Sequence, residues 1–218
     1  MVRTLLVACL GWSVTAWSVG QDLAQLDPKH YRVEFADDQV RVWRVTLGPY
    51  EKGAMHSQPD GVLVFLTADL QGKMPGAEAQ WEPAGPYELE NLANTSFEAV
   101  LVELLKPPSS QPSPLTLSYA TGPFYYPISR PAVTRLIDSE RVSVSRHRFP
   151  GAARGDNLHA HATDTVIVYL SGGEMSGTTG HGPGRARRGQ VDVLRANTLH
   201  QFANLGFDPI EFVVIHPK

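Results

Sequence analysis

The sequence predicts an all-β protein of two similar units in tandem, and three observations predict it. Short segments alternate apolar and polar side chains with a period of two, the pattern of strands with one buried face. No stretch before residue 106 sustains the 3.6-residue period of a helix. The second half repeats the first, and consecutive all-β units of many short strands imply barrels or sandwiches.

Residues 1–20 read as an N-terminal signal peptide. Arg3 supplies the positive start, Leu5 to Leu10 the apolar run, and Ser18 and Gly20 the small residues of a cleavage site. Cleavage after Gly20 would leave Gln21 first, remove any membrane span, and make the mature protein secreted or periplasmic. An anchor is the competing reading, but Trp12-Ser13 and Trp17-Ser18 interrupt a stretch barely long enough to cross. Leu6-Val7-Ala8-Cys9 also resembles a bacterial lipoprotein box, which would tether the chain at Cys9.

Residues 21–30, with Asp27-Pro28, read as a polar lead-in ending in a turn rather than a helix. Tyr31 to Phe35 and Val40 to Leu47 follow as half-buried strands joined across Ala36-Asp37-Asp38. Val62 to Thr67, a short strand from Trp81, and the β-branched run Phe97 to Leu105 complete a first unit over residues 28–106. Lys106 to Pro114 carries Pro107, Pro108, Pro112 and Pro114, the composition of a stiff linker that cannot donate a full ladder of hydrogen bonds. The boundary is therefore set at residues 107–124. The aromatic run Phe124-Tyr125-Tyr126 is expected to pack the connection against a barrel, and the second unit takes residues 125–218.

The repeat is read from three alignments. Asn91 to Val102 falls without gaps on Asn204 to Ile215, Val40-Arg41-Val42 falls on Val142-Ser143-Val144, and His56-Ser57-Gln58 falls on His159-Ala160-His161. The offset widens across Gly172 to Arg188, a glycine-rich stretch that reads as a flap over a barrel mouth or as a surface loop.

With 42% hydrophobic and 19% charged residues the chain belongs to the ordinary globular class. A net charge of −3 provides no overall basic field for nucleic acid or acidic lipid, so a small-molecule partner is expected. Cys9 is the only cysteine, so a cleaved chain has no disulfide and no thiolate chemistry.

Chemistry gathers at Asn157 to Asp164 and Leu199 to Asn204. On a strand, side chains two apart share a face, so His159 and His161 lie side by side and His200, from another strand, would close on the same point. Neutral imidazoles suit zinc, copper, iron and nickel. These residues resemble the two motifs of the cupin superfamily, G-x5-H-x-H-x3,4-E-x6-G and G-x5-P-x-G-x2-H-x3-N. His159-Ala160-His161 stands for the pair, Gly172 or Gly173 for the closing glycine, and His200 to Asn204 for the H-x3-N. The resemblance covers nearly everything after residue 30 and implies two tandem cupin-type jelly-roll barrels.

The departures shape what it implies. The motif glutamate would fall at Thr165 or Val166, and Asp164 is one residue early, aimed off the metal face. The implied ligands are therefore His159, His161 and His200 alone. Arg195-Ala196-Asn197 replaces Pro-x-Gly, with Asn197 able to take the positive φ of the glycine. In the first copy His56 remains, Gln58 replaces the second histidine and Tyr87 the third, so that barrel reads as structural or as a metal-free pocket.

Alternation carries Thr165, Ile167 and Tyr169 inward with the pair, and Phe202 with His200. His181 and His216 lack motif support, and Arg185-Ala186-Arg187-Arg188 reads as a solvated face or an attractor of anions.

The signal peptide implies export, and the resemblance implies one divalent transition metal, with Fe, Mn, Ni, Cu and Zn undistinguished, in a protein that acts as an oxygenase or isomerase on a small molecule. A non-catalytic small-ligand-binding or structural protein is the competing reading. No general base is identified, and homodimerisation is implied only as a superfamily tendency.

Overall fold

The computed structural model describes residues 21–72, 78–107, 131–151, 159–161, 163–177 and 184–218. The expected signal, the linker from Pro108 onward, the Phe124-Tyr125-Tyr126 run and His181 lie outside the described residues. Among the described residues no helix is long and apolar enough to cross a membrane.

The alternating segments form strands. β1 (Tyr31–Ala36) and β2 (Val40–Leu47) pair antiparallel across a turn in which the Asp37 carboxylate accepts the Gln39 and Val40 N–H groups. The first unit continues through β3 (His56–Gln58), β4 (Gly61–Phe65), β5 (Ala79–Glu82), β6 (Gly85–Tyr87) and β7 (Phe97–Leu104). Its larger sheet runs β1-β2-β7-β4-β5, and a smaller one pairs β3 with β6. The second unit comprises β8 (Ala132–Asp138), β9 (Val142–Phe149), β10 (Thr165–Tyr169), β11 (Gly173–Gly177), β12 (Gly184–Ala186), β13 (Val191–Leu194), β14 (Phe202–Asn204) and β15 (Ile210–Pro217). Its sheets run β13-β10-β15-β9-β8 and β12-β11-β14.

Duplication extends to register. Val40 and Leu47 face Leu104 and Phe97, and their counterparts Val142 and Phe149 face Pro217 and Ile210. The outer strands bulge at matching places, between Val33 and Phe35 and between Arg135 and Ile137. The paired asparagines do the same work in each copy. Asn91 Nδ2 donates to the Gly48 and Thr95 carbonyls, and Asn204 Nδ2 to those of Phe149, Pro150 and Asp208.

Two expectations are corrected. The lead-in closes one helical turn, α1 (Leu23–Leu26), because the Asp22 carboxylate accepts the Ala24 N–H at 3.1 Å and Leu23 is drawn into the core. The glycine-rich stretch, read as a flap or a surface loop, is strand at both of its described ends. β11 and β12 pair within it, and a Cβ on Gly173 would collide with the Ile210 side chain, so glycine there permits close strand approach.

The central strands β4, β7 and β10 are covered on both faces, because the two large sheets pack against each other, while the edge strand β1 keeps Arg32, Val33 and Ala36 exposed. Val40, Val42, Val62, Val64, Val100 and Val102 meet Val142, Val144, Val166, Val168, Val213 and Ile215 in one shared layer. Residues of opposite parity point into the barrels. Trp43, Leu63, Phe97 and Leu101 help fill the first, and Phe149, Ile167, Tyr169, Phe202 and Phe212 the second. Each buried aliphatic side chain contributes about 1.5–3 kcal/mol. The halves are also joined by a partly buried ion pair, Arg141–Asp60 (2.9 Å).

Candidate metal centre

His159 and His200 exchange both backbone hydrogen bonds, N–H to carbonyl at 2.9 and 2.8 Å, which sets their imidazoles side by side across an antiparallel bridge. The same relation joins His56 and Tyr87 in the first unit. His161, two residues on from His159, brings in the third ring. Ring centroids lie 4.1 Å apart for His159–His200, 4.7 Å for His159–His161 and 4.8 Å for His161–His200. One nitrogen from each ring lies within 4.8 Å of the others.

These residues suit a transition metal. The Nε2 atoms of His159 and His161 are 3.2 Å apart. Two ligands each about 2.0–2.1 Å from a tetrahedral ion stand about 3.3 Å apart, so this spacing fits one shared cation. His200 Nδ1 donates to the Thr198 carbonyl at 2.9 Å, which fixes the tautomer and leaves Nε2 as a lone-pair donor. Burial pushes His161 down to about 3, helped by the neighbouring imidazoles, and burial also lowers His200. Both are therefore neutral at physiological pH, the form that ligates. His200 is buried while His159 and His161 are half-buried, so the cluster is anchored within the barrel and retains solvent access.

The loop before His200 behaves as its sequence suggests. Asn197 has φ of 60°, and its N–H donates to the His161 carbonyl at 2.6 Å, tying the third histidine's loop to the pair. Asp164 is turned away from the cluster. It is 3% exposed and accepts from Arg195 Nη1 at 2.6 Å and from the Ala196 N–H at 2.7 Å, so it clamps that loop instead of joining the imidazoles.

Thr165, Ile167, Tyr169 and Phe202 face the interior of this barrel as alternation predicts. Sequence reasoning set His216 aside for lack of motif support and did not consider His147. The His216 ring lies 4.3 Å from that of His161, with Nδ1 3.0 Å from Thr165 Oγ1. His147 stacks on Phe212 at 5.4 Å. Burial lowers both to about 4. Strand parity was the available signal, since His147 shares a face with Phe149 and His216 with Val214. Among the described residues, only His159, His161 and His200 form a group of three or more potential ligands around one point.

The first barrel diverges as its residues require. His56 sits between Tyr31 and Tyr87, whose rings approach edge-on at 5.5 and 5.6 Å, and its Nδ1 donates to the Ala54 carbonyl. Gln58 is fully buried beside it, and no second imidazole faces His56 across the strand pair. In the place of His216 stands Glu103, which binds Arg41 at 2.6 Å and Trp43 Nε1 at 2.9 Å.

By sequence the chain matches no family model and no curated protein. By structure it is similar to AerE from Microcystis aeruginosa, at 13% identity, with 87% of this chain and 93% of that one covered and a TM-score of 0.65. It is similar to a cupin 2 conserved barrel domain protein from Leptotrichia buccalis, at 12% identity, with 86% and 88% covered and a TM-score of 0.50. A variant of salicylate 1,2-dioxygenase from Pseudoaminobacter salicylatoxidans is similar at 10% identity, with 82% and 71% covered and a TM-score of 0.55.

Proposed function

The chain is a two-domain protein of the cupin fold, and on that premise we propose that it is an exported metalloprotein acting on a small molecule. One divalent transition metal would be held in the C-terminal barrel by His159, His161 and His200. The observation that carries this reading is the convergence of three imidazole nitrogens within 4.8 Å of one another. A metal held by these three histidines would leave room for a substrate and would supply Lewis acidity or dioxygen chemistry.

The chain's own residues do the rest. The His159–His200 bridge and the Asn197 N–H hold the three rings in mutual register. Phe202 and Phe212 make the inner wall apolar, which favours a substrate with an apolar body and limits water around the centre. The structural likeness to a dioxygenase supports oxygenase-type chemistry, with metal-assisted isomerisation as the other enzymatic form. A binding role without catalysis is favoured by a specific observation: the ligand group contains no carboxylate, and Asp164 is committed to Arg195.

Elemental analysis of the purified protein beside a His159→Ala/His161→Ala variant tests the site. About one metal per chain in the parent and near none in the variant is expected, and equal content in both refutes the assignment. Oxygen uptake by the metal-loaded protein across small phenols and carboxylates then separates oxygenase from binder. Export is tested by N-terminal sequencing of the extracytoplasmic protein, with Gln21 expected first and an intact Met1 counting against it.

A further inference from the structure

Where the two halves meet there is a groove of about 770 Å³, separate from the three histidines. Pro28 to Arg32, Arg44 and Thr46 line it from the first half, and Arg185 and Arg187 to Gln190 from the second. Six side chains bring positive charge, namely Lys29, Arg32, Arg44, Arg185, Arg187 and Arg188, while Glu98 is the one carboxylate in the lining. This concentration sits on a chain whose net charge is −3.

The six divide into two sets. Lys29 pairs with Glu51, Arg32 with Glu34 at 2.9 Å, and Arg44 with Glu34 at 2.8 Å and Glu98 at 3.3 Å. Arg185, Arg187 and Arg188 are exposed, and among the described residues none has a carboxylate partner. The turn that carries Arg187 and Arg188 is held in place. Arg44 reaches across the interface to donate to the Gly189 carbonyl, Gly189 turns the chain with φ of 77°, and the Arg187 N–H donates to Gln190 Oε1 at 3.1 Å. The second half therefore presents three guanidiniums without carboxylate partners, Arg185 from β12 and Arg187 and Arg188 from the pinned turn, facing a wall contributed by the first.

We propose that this groove binds a small anion carrying two or more carboxylate or phosphate groups. Guanidinium forks match both groups in bidentate geometry, and three forks close together favour a ligand with several anionic ends over a single one. The volume lies in the range of small-molecule sites, about 300–1,000 Å³. An extended polyanion gains less, because the positive charge is confined to the groove while the chain as a whole is acidic. A ligand seated there touches both halves and stabilises their contact by mass action.

The test is calorimetric titration of the full chain with tricarballylate and, separately, fructose 1,6-bisphosphate, at constant ionic strength. Binding of either is expected, weakened about tenfold or more in an Arg185→Ser/Arg187→Ser/Arg188→Ser variant and unchanged in Arg135→Ser, which removes an exposed arginine elsewhere. Response to one probe alone identifies carboxylate or phosphate as the recognised group. Binding should persist in the His159→Ala/His161→Ala variant, so that chelation at the metal centre is separated from recognition in the groove. The proposal is overturned if neither probe binds, if the triple variant binds within about twofold of the parent, if Arg135→Ser loses as much, or if binding disappears with the two histidines.

Discussion

Asp164 offers the sharpest test of how the site is held, because its carboxylate joins the start of β10 to the loop that delivers His200. In Asp164→Ala two contacts are lost. Arg195 is 56% exposed and keeps Asp37, so its share is small, about 0–1 kcal/mol. The Ala196 N–H is half-buried and loses its acceptor, which costs about 1–2 kcal/mol, the lower part of the range for an unsatisfied donor. The expected destabilisation is about 2 kcal/mol, or a fall of about 4–8 °C in Tm for a chain of this size. Asp164→Asn keeps an acceptor for Ala196 and should cost about 1 kcal/mol. The same loop carries the Asn197 N–H to His161 and the Thr198 carbonyl to His200, so zinc affinity should fall about tenfold alongside stability. Urea denaturation of the metal-free protein and zinc titration against a competing chelator measure the two effects. If both variants stay within about 0.5 kcal/mol of the parent with unchanged zinc affinity, the clamp plays no part and the reasoning fails.

Two further outcomes follow from buried groups. Asn204→Ala strips three carbonyls of a donor and the Gly206 N–H of its acceptor at a 2% exposed position, and should cost about 3 kcal/mol in urea melts; a loss below about 1 kcal/mol would contradict the role given to the corner. Burial pushes the Glu82 carboxyl up to about 7 from its ordinary 4.5. The folded state therefore holds a proton that the unfolded state releases, so Glu82's contribution is greatest below about pH 4.5 and declines as pH rises toward 7. Because Glu82 lines an open cavity beside Tyr87 and Leu89, solvent screening reduces the effect to about 1–2 kcal/mol. Glu82→Gln should be more stable than the parent by that amount at pH 8. Parallel stability profiles for parent and variant between pH 4 and 8 would count against it.

Much of this architecture was legible because its signals are local. Period-two alternation marks strands wherever a side chain must choose between core and water, and Tyr31 to Ala36 and Val40 to Leu47 form where that choice was written, while Phe97 to Leu104 forms where a β-branched run stood. The tandem repeat was equally plain, and the structure preserves it down to pairing register and the Asn91 and Asn204 corners. The short helix at Leu23 was missed because it depends on one cap and one buried leucine rather than on a period. The pairing of β11 with β12 was missed because glycine content marks equally well a loop and a close strand approach.

By itself the sequence determined the strand pattern, the duplication, and which three histidines share a motif, since each follows from spacing along one chain. Only the tertiary structure decided what those residues meet. It set His216 beside His161 and turned Asp164 toward Arg195. It also joined the halves through a layer of valines and placed three arginines opposite a wall from the other half. The physical reason is that these contacts connect residues distant in sequence. Alternation tells a side chain which face it occupies, but the packing of one sheet on another determines what lies across from that face.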